Sequence, residues 1–382
     1  MPNHYNYIIT GAGCAGLSLL MRMLQHPFFD DKKILVIDQS KKITNDRTWC
    51  FWEKEPGIFE PIIHHQWARV NFFSGRYSSI LDLSPYQYKM IQGIDLYSYV
   101  KEASDSRTNI EWRYEIVKSV NSNKNMATVE LESKSFTADY IFNSILFEQP
   151  KVPKGKYYLR QHFKGWVIET KEPHFDPALA TFMDFRVSQK HGTTFIYLMP
   201  TSSTSALVEY TLFTESLLEK EEYETALREY ISSYLHITDY TIIHEEFGVI
   251  PMTNMQFPSP EGRVLYTGIA GGQAKGSSGY VFQFIQKRAT QIIESLVTGK
   301  QLSLPVTWTD KKFHLYDSVL LNVLHNRKMN GDEIFSRIFQ KNPPRRVLRF
   351  LDNESNLRED LQIMRSVPSG IFLPAALQEL IR

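Results

Sequence analysis

An apolar strand that runs straight into a glycine-rich turn and a helix limits what this chain can fold into more than any other feature. Residues 5–10 (YNYIIT) carry the pattern of a short buried strand, Gly11-Ala12-Gly13-Cys14-Ala15-Gly16 follows at once, and residues 17–24 (LSLLMRML) read as a helix. A second strand at 34–37 (ILVI) ends in Asp38. This is the βαβ arrangement that binds a dinucleotide. Gly11 serves the tight turn, Gly13 lets a pyrophosphate approach the backbone, and Gly16 lets the helix pack closely on the strand, with Ala15 in the same turn. The helix start offers unpaired N–H groups and the positive end of its dipole to the phosphates. Asp38 is placed to accept hydrogen bonds from both hydroxyls of an adenosine ribose. A glycine pattern alone is weak, and the alternative is an ordinary βα turn with a solvated acid at the strand end. Strand, turn, helix, second strand and terminal acid in the right order select dinucleotide binding.

The chain has 382 residues, more than one typical domain, so two packed lobes are expected. Lys plus Arg (43) nearly cancels Asp plus Glu (42), which leaves no basic field to attract nucleic acid. Cys14 and Cys50 are the sole cysteines, so neither a disulfide framework nor a multi-cysteine zinc site is expected. His64, His65 and His162 show no ligand-like spacing, and no metal is expected. The start of the chain lacks the charged and apolar regions of a signal peptide, and no apolar run approaches about 18 residues. The expectation is a cytoplasmic protein whose membrane contact, at the inner face of the cell membrane, is peripheral.

Along the chain, residues 67–73 (WARVNFF) and 77–83 alternate as antiparallel strands, 96–103 read as a helix, and 109–117, 127–131 and 136–144 as strands. The last of these returns the chain to the parallel sheet. Beyond Pro150 the pattern is strand after strand: 165–169, 181–187, 193–199 and 206–213, the last two joined by a turn-rich hairpin at 200–205. A helix is expected at about 216–234, a strand within 262–268, and helices from about Pro305 onward. A second glycine-rich run, residues 268–280 (GIAGGQAKGSSGY), precedes a helix at 281–289. The predicted fold class is α/β: a Rossmann-like FAD-binding domain of the aromatic-hydroxylase flavoprotein type, an interleaved antiparallel β substrate domain, and a helical C-terminal part. The expected division assigns 1–60, 91–150 and 256–300 to the FAD domain, 61–90 and 151–255 to the substrate domain, and 301–382 to the helices. In the second loop Gly268, Gly271, Gly272, Ser278, Gly279 and Tyr280 are placed to bring N–H groups to the pyrimidine edge of an isoalloxazine, whose reduced anion a helix dipole stabilises; the alternative is a loop that needs glycine for positive φ angles.

Four stretches carry a resemblance to a known family: 46–53 (DRTWCFWE), Phe182-Met183-Asp184, 207–211 (LVEYT) and the 268–280 loop. The chain resembles the bacterial lycopene cyclases. That resemblance implies FAD, active in its reduced form with NAD(P)H as electron source. It implies lycopene and related acyclic or monocyclic carotenoids as substrates, and redox-neutral closure of their ψ ends to β-rings, giving γ- and then β-carotene. Two departures stand out. Tyr210 follows Glu209 where the family usually has a second carboxylate, and the late loop opens Gly268-Ile269 without the acid of the hydroxylases.

Such a ring closure needs a strong, positioned proton donor, because an alkene is a feeble base. Glu209, in the apolar run Ala206-Leu207-Val208, is the candidate: in a dry pocket a Glu stays protonated at neutral pH. Alternation alone favours a carboxylate on the solvent face, and it is the family resemblance that reverses this. Trp49, Phe51, Trp52, Phe182 and Tyr210 are candidates to face the resulting cation, each stabilising it by ~1–2 kcal/mol when desolvated, and each alternatively a core residue. Asp184 is either a second acid or a strand-end hydrogen-bond acceptor, and Arg47 with Asp46 lies either near the cofactor or in a structural ion pair. Two rival readings are a redox FAD enzyme acting on a lipid (monooxygenase or polyprenyl reductase) and a non-catalytic carotenoid-binding carrier. Finally, Ile334, Phe335, Ile338, Phe339, Val347, Leu348, Phe350 and Leu351 interleaved with Lys341, Arg345, Arg346 and Arg349 suit docking onto an anionic membrane, or else helices packed on the protein with a solvated basic face.

Overall fold

The computed structural model describes residues 4–257, 262–300, 302 and 306–381. Pro305, where the helical part was expected to begin, lies outside them. The chain opens with β1 (His4–Thr10), α1 (Cys14–Leu24) and β2 (Ile34–Asp38). Then come β3 (Thr48–Glu53), β4 (His65–Trp67), β5 (Arg69–Phe73), β6 (Ser78–Asp82) and β7 (Gln87–Gln92). After α2 (Gly93–Asp105) the strands β8 (Ile110–Tyr114), β9 (Val117–Ser122), β10 (Ala127–Leu131) and β11 (Ser135–Asn143) follow. A second run holds β12 (Tyr158–Glu169), β13 (Leu179–Asp184), β14 (Thr193–Pro200), β15 (Ser205–Thr214), α3 (Lys220–Ser233) and β16 (Thr241–Thr253). The chain returns through β17 (Val264–Tyr266) and α4 (Phe282–Val297). It closes with α5 (Trp308–His325), α6 (Gly331–Lys341), α7 (Pro344–Leu351), α8 (Leu357–Met364) and α9 (Ser369–Ile381).

The first sheet has the order β8-β2-β1-β11-β10-β9, with β17 on β11. The strands β8, β2, β1, β11 and β17 are parallel, whereas β9 and β10 run antiparallel. Leu17 and Leu20 of α1, Val100 of α2 and Ile292 of α4 share one core with β1 and β2. The second sheet runs β16-β12-β15-β14-β13-β5-β6 and is antiparallel except at β13–β5. One of its faces packs Trp166, Val208 and Leu212 on Tyr223, Leu227 and Tyr230 of α3. The other packs Phe182, Tyr197 and Leu207 with Phe335, Phe339 and Leu348 of α6 and α7. A small sheet, β3-β7-β4, joins the two. The expected division at 60/61 and 90/91 cuts across this small sheet, because β3 and β4 both pair with β7.

Several strands differ from the sequence expectation. Residues 67–73 are two strands in different sheets, broken at Ala68, and 109–117 are likewise two. The helix expected from 216 starts at Lys220, where the Glu222 carboxylate accepts from the Glu219 N–H at 3.1 Å and fixes the first turn. The strand β16 had no expectation at all. Its His244-Glu245-Glu246 run reads as polar loop, yet Glu245 pairs with Lys164 across the sheet.

The C-terminal helices settle one alternative. Ile334, Phe335, Phe339, Val347, Leu348 and Leu351 are buried in the protein core, so the apolar side of α6 and α7 is committed at ~1.5–3 kcal/mol per large side chain. Arg349 donates to Glu359 at 2.8 Å and Arg346 to Asn342 at 3.0 Å. The apolar side of these helices is therefore not free to enter a membrane, and what stays exposed is the basic side at Lys341 and Arg345. Arg345→Glu with Arg346→Glu should leave liposome flotation unchanged; loss of flotation would make that basic side a docking surface. The exposed leucines lie elsewhere, at Leu357 and Leu361 on α8 and Leu373, Leu377 and Leu380 on α9. No helix among the described residues is long and apolar enough to cross a membrane.

Candidate active site

At the first turn the backbone is drawn tight. A Cβ on Gly16 would lie 2.1 Å from the Gly11 carbonyl oxygen, so only glycine lets α1 sit on β1 here. Around Gly13, by contrast, a Cβ would meet nothing within 4 Å, which marks the open side of the turn. The start of α1 has no side-chain cap and no acidic residue in its first turn, so its N–H groups keep their positive end available. Ala15, in that first turn, lies against Gly268 of the late loop. Asp38 is almost buried and braces the same turn: Oδ2 accepts from the Ala12 N–H at 2.8 Å and Oδ1 from the Ser40 N–H at 3.0 Å. Oδ1 also accepts from the Ser40 hydroxyl at 3.4 Å, so the lone pair left for a ligand hydroxyl is on Oδ2. We expect Gly16→Ala to cost ~1–3 kcal/mol in a denaturation midpoint. Gly13→Ala should leave that midpoint alone while weakening dinucleotide binding.

The late loop forms the facing wall. Gly268, Gly271 and Gly272 make a tight turn after β17, and Ser278, Gly279 and Tyr280 lead into α4, whose first turn again has no side-chain cap. The Ser278 hydroxyl and the Gln161 Oε1 of β12 are buried without hydrogen-bond partners among the described residues, two polar atoms awaiting a ligand.

Between this loop and the second sheet lies a pocket lined by Thr48, Cys50, Tyr88, Gln161, Tyr197, Leu207, Glu209, Glu246, Tyr280 and Phe282. Side chains alternate along a strand, so Leu207 and Glu209 of β15 face this pocket while Val208 and Tyr210 face α3. Glu209 keeps some accessible surface because it opens onto the pocket; protein surrounds it otherwise. Burial, reinforced by the neighbouring Glu246 charge, holds its carboxyl well above the usual carboxylate range. The Thr211 hydroxyl donates to its Oε1 at 3.0 Å.

The aromatic candidates are split by the same alternation. On β3, Trp52 turns toward the second sheet, where its ring is 4.7 Å from Tyr280 and 6.2 Å from Phe182. Phe51 turns to the first core and stacks on Phe282 at 4.0 Å, and Trp49 meets Tyr97 edge-on. Of the expected aromatics Trp49 and Tyr280 line the pocket, together with Tyr88, Tyr197 and Phe282, which sequence reasoning did not single out, whereas Trp52 and Phe182 pack behind Tyr280 and Tyr88.

Two more expected pocket residues lie elsewhere. Tyr210 is buried against Tyr223 of α3, on the far side of the sheet from Glu209. Asp184 is fully buried and saturated: Arg186 donates at 2.9 and 2.5 Å, and the Tyr230 hydroxyl at 2.8 Å. The structure makes it a strand-end acceptor rather than an acid in the pocket. Arg47 is exposed with its Nε 3.6 Å from Asp46; burial raises the Cys14 thiol and the Glu246 carboxyl, and the Arg47 charge offsets a small part of each rise. Asp46 itself accepts from the Tyr97 hydroxyl at 2.5 Å.

The pocket holds one acid that sequence reasoning missed. Glu246, on β16, is 4% exposed, and neither of its carboxylate oxygens has a hydrogen-bond partner among the described residues. Its signal was the paired Glu245-Glu246 within an alternating segment, readable only once that segment is known to be a strand.

This two-lobed α/β architecture is that of solved flavoproteins. A geranylgeranyl bacteriochlorophyll reductase-like protein from Thermoplasma acidophilum superposes with a TM-score of 0.67 at 11% identity, covering 99% of each chain. A flavoprotein/dehydrogenase from Cytophaga hutchinsonii gives 0.66 at 10% identity, also with 99% of each chain covered. The p-nitrophenol 4-monooxygenase PnpA from Pseudomonas putida gives 0.59 at 13% identity over 99% of each. No curated protein sequence matches. Residues 6–376 match the family described as lycopene cyclase protein, and the chain belongs to that family.

Proposed function

We propose that this protein is an FAD-dependent lycopene β-cyclase, closing the ψ ends of lycopene to β-rings without net redox change. The observation that carries the reading is Glu209: a carboxyl held protonated by burial, opening onto a pocket between the nucleotide cradle and an aromatic wall. Membership of the lycopene cyclase family supports the substrate class.

Gly11, Gly13, Ala15, Gly16 and Asp38 would hold the pyrophosphate and ribose of FAD, and the 268–280 loop with the uncapped start of α4 its ring system. The unpartnered Ser278 hydroxyl and Gln161 Oε1 fit the polar edge of such a ring. When bound and reduced, the flavin supplies negative charge beside the site where a cation forms. Glu209 protonates the terminal double bond of the polyene. Trp49, Tyr197 and Tyr280 offer π faces to the tertiary cation. The wall also keeps out water, which would trap the cation as an alcohol. Contact with a bilayer is part of this reading, because a C40 hydrocarbon must be drawn from one.

Purified protein supplied with lycopene and dithionite-reduced FAD should yield γ- and then β-carotene by chromatography, and none with oxidised FAD. Consumption of NAD(P)H in proportion to product would instead select a redox enzyme acting on a lipid. Full pigment transfer without ring closure would select a carrier.

A further inference from the structure

Gly165 lies at the centre of β12, paired with Glu209 of β15 on one side and with Glu246 of β16 on the other. Neighbouring strands are ~4.8 Å apart, so the two glutamate backbones stand roughly 10 Å from each other. Any side chain between them would keep the carboxyls apart, and Gly165 has none. A Cβ there would sit 2.9 Å from Glu246 Cγ and 3.2 Å from Glu246 Oε1, because the Glu246 side chain leans over the glycine toward Glu209. The two carboxyls come close enough to perturb one another. Both line the same pocket.

We propose that Glu246 is a second catalytic residue for the ring closure proposed above: Glu209 and Glu246 hold one proton between them across Gly165, and the Glu246 carboxylate takes the proton released from the new ring. Two carboxylates in contact in a dry site cannot both ionise cheaply, so one stays protonated. Burial raises both carboxyls, that of Glu209 further, while Thr48 and the Arg47 charge offset part of the rise at Glu246, so Glu209 is the acid and Glu246 the carboxylate.

The step balances within the pair. The Glu209 proton forms a C–H bond at the terminal alkene and leaves a tertiary cation. The next double bond attacks that cation, closing the ring and moving the charge to the neighbouring carbon. The ring C–H bond then breaks; its electrons become the new alkene, and its proton goes to Glu246. At that moment both carboxyls are ionised side by side, and their repulsion makes the pair a far stronger base than either alone. A proton passing from Glu246 to Glu209 restores the starting state, with no oxidant, reductant or solvent proton consumed.

The inference rests on the lycopene cyclase reading, and the test separates the two. Wild type, Glu209→Gln, Glu246→Gln, Glu246→Asp and Gly165→Ala are each assayed with lycopene and reduced FAD, for rate and for ring type. Glu246→Gln should lower the rate by roughly 10²-fold. Some of its product should carry the ring double bond at a displaced position, because the cation then loses a proton elsewhere; Glu246→Asp should partly restore both. Gly165→Ala keeps both acids but parts them, and should lose rate as well, which decides the matter if Glu246→Gln fails to fold. A Glu246→Gln enzyme within about twofold of wild type and making only β-rings overturns the proposal, as does an unaffected Gly165→Ala. A wild type that forms no ring defeats the underlying reading itself.

Discussion

Glu209→Gln is expected to lower ring formation by ~10²–10⁴-fold, the range for loss of a positioned general acid, while the protein stays folded. The amide keeps the shape of the side chain and can still meet the Thr211 hydroxyl, but it has no proton acidic enough for an alkene. Stability gives an independent check. In the unfolded chain the carboxyl ionises at its ordinary 4.5, whereas in the folded protein burial holds it neutral well above that. The folded state therefore binds the extra proton, and stability falls as pH rises from about 4.5 toward the raised folded value. Gln does not titrate, so the variant should match the wild type at low pH and exceed it at pH 8. Activity of the wild type should fall as pH climbs through the raised value, where the donor is lost. A Glu209→Gln enzyme with undiminished turnover would falsify the assignment of the proton source.

Asp360→Ala should destabilise the protein by ~3–5 kcal/mol, the cost of leaving a buried charge alone. Asp360 is 1% exposed and receives the Lys312 ammonium at 2.7 Å and the Ser355 hydroxyl at 2.5 Å. Lys312 is itself buried, 4.3 Å from the centre of the Phe313 ring, and donates also to the Ser355 carbonyl at 2.9 Å. This pair ties α5 to α8 at a place remote from the proposed chemistry. Replacing both partners by apolar residues, Lys312→Met with Asp360→Leu, should recover most of the loss. Urea midpoints of the single and double variants measure both effects, and equal midpoints for wild type and Asp360→Ala would show that the pair contributes nothing.

The geometry of the first βαβ turn could be read from the sequence because every part of it is local: Gly11, Gly16 and Asp38 lie within one βαβ unit. Glu209 could be named but not oriented, since the face a strand residue presents depends on its partners. Tyr210 shows the consequence. It follows Glu209 directly and so points to α3, where a carboxylate could not have shared the pocket. The second acid comes instead from β16, far along the chain and brought beside Glu209 only by the pairing of both strands with β12. No motif spans that distance. The mixed basic and apolar helices were ambiguous for a related reason: composition gives an apolar side but not what covers it, and α6 and α7 cover theirs with the second sheet.

Ala68 separates β4 from β5, strands that belong to different sheets, and its carbonyl is pinned by the Leu83 N–H at 3.0 Å. A link of one residue has no slack. The small sheet and the second sheet are held edge to edge at that point. In the proposed reaction a long, rigid polyene would reach Glu209 end-on, one terminus at a time, and would be withdrawn and reversed for its second end.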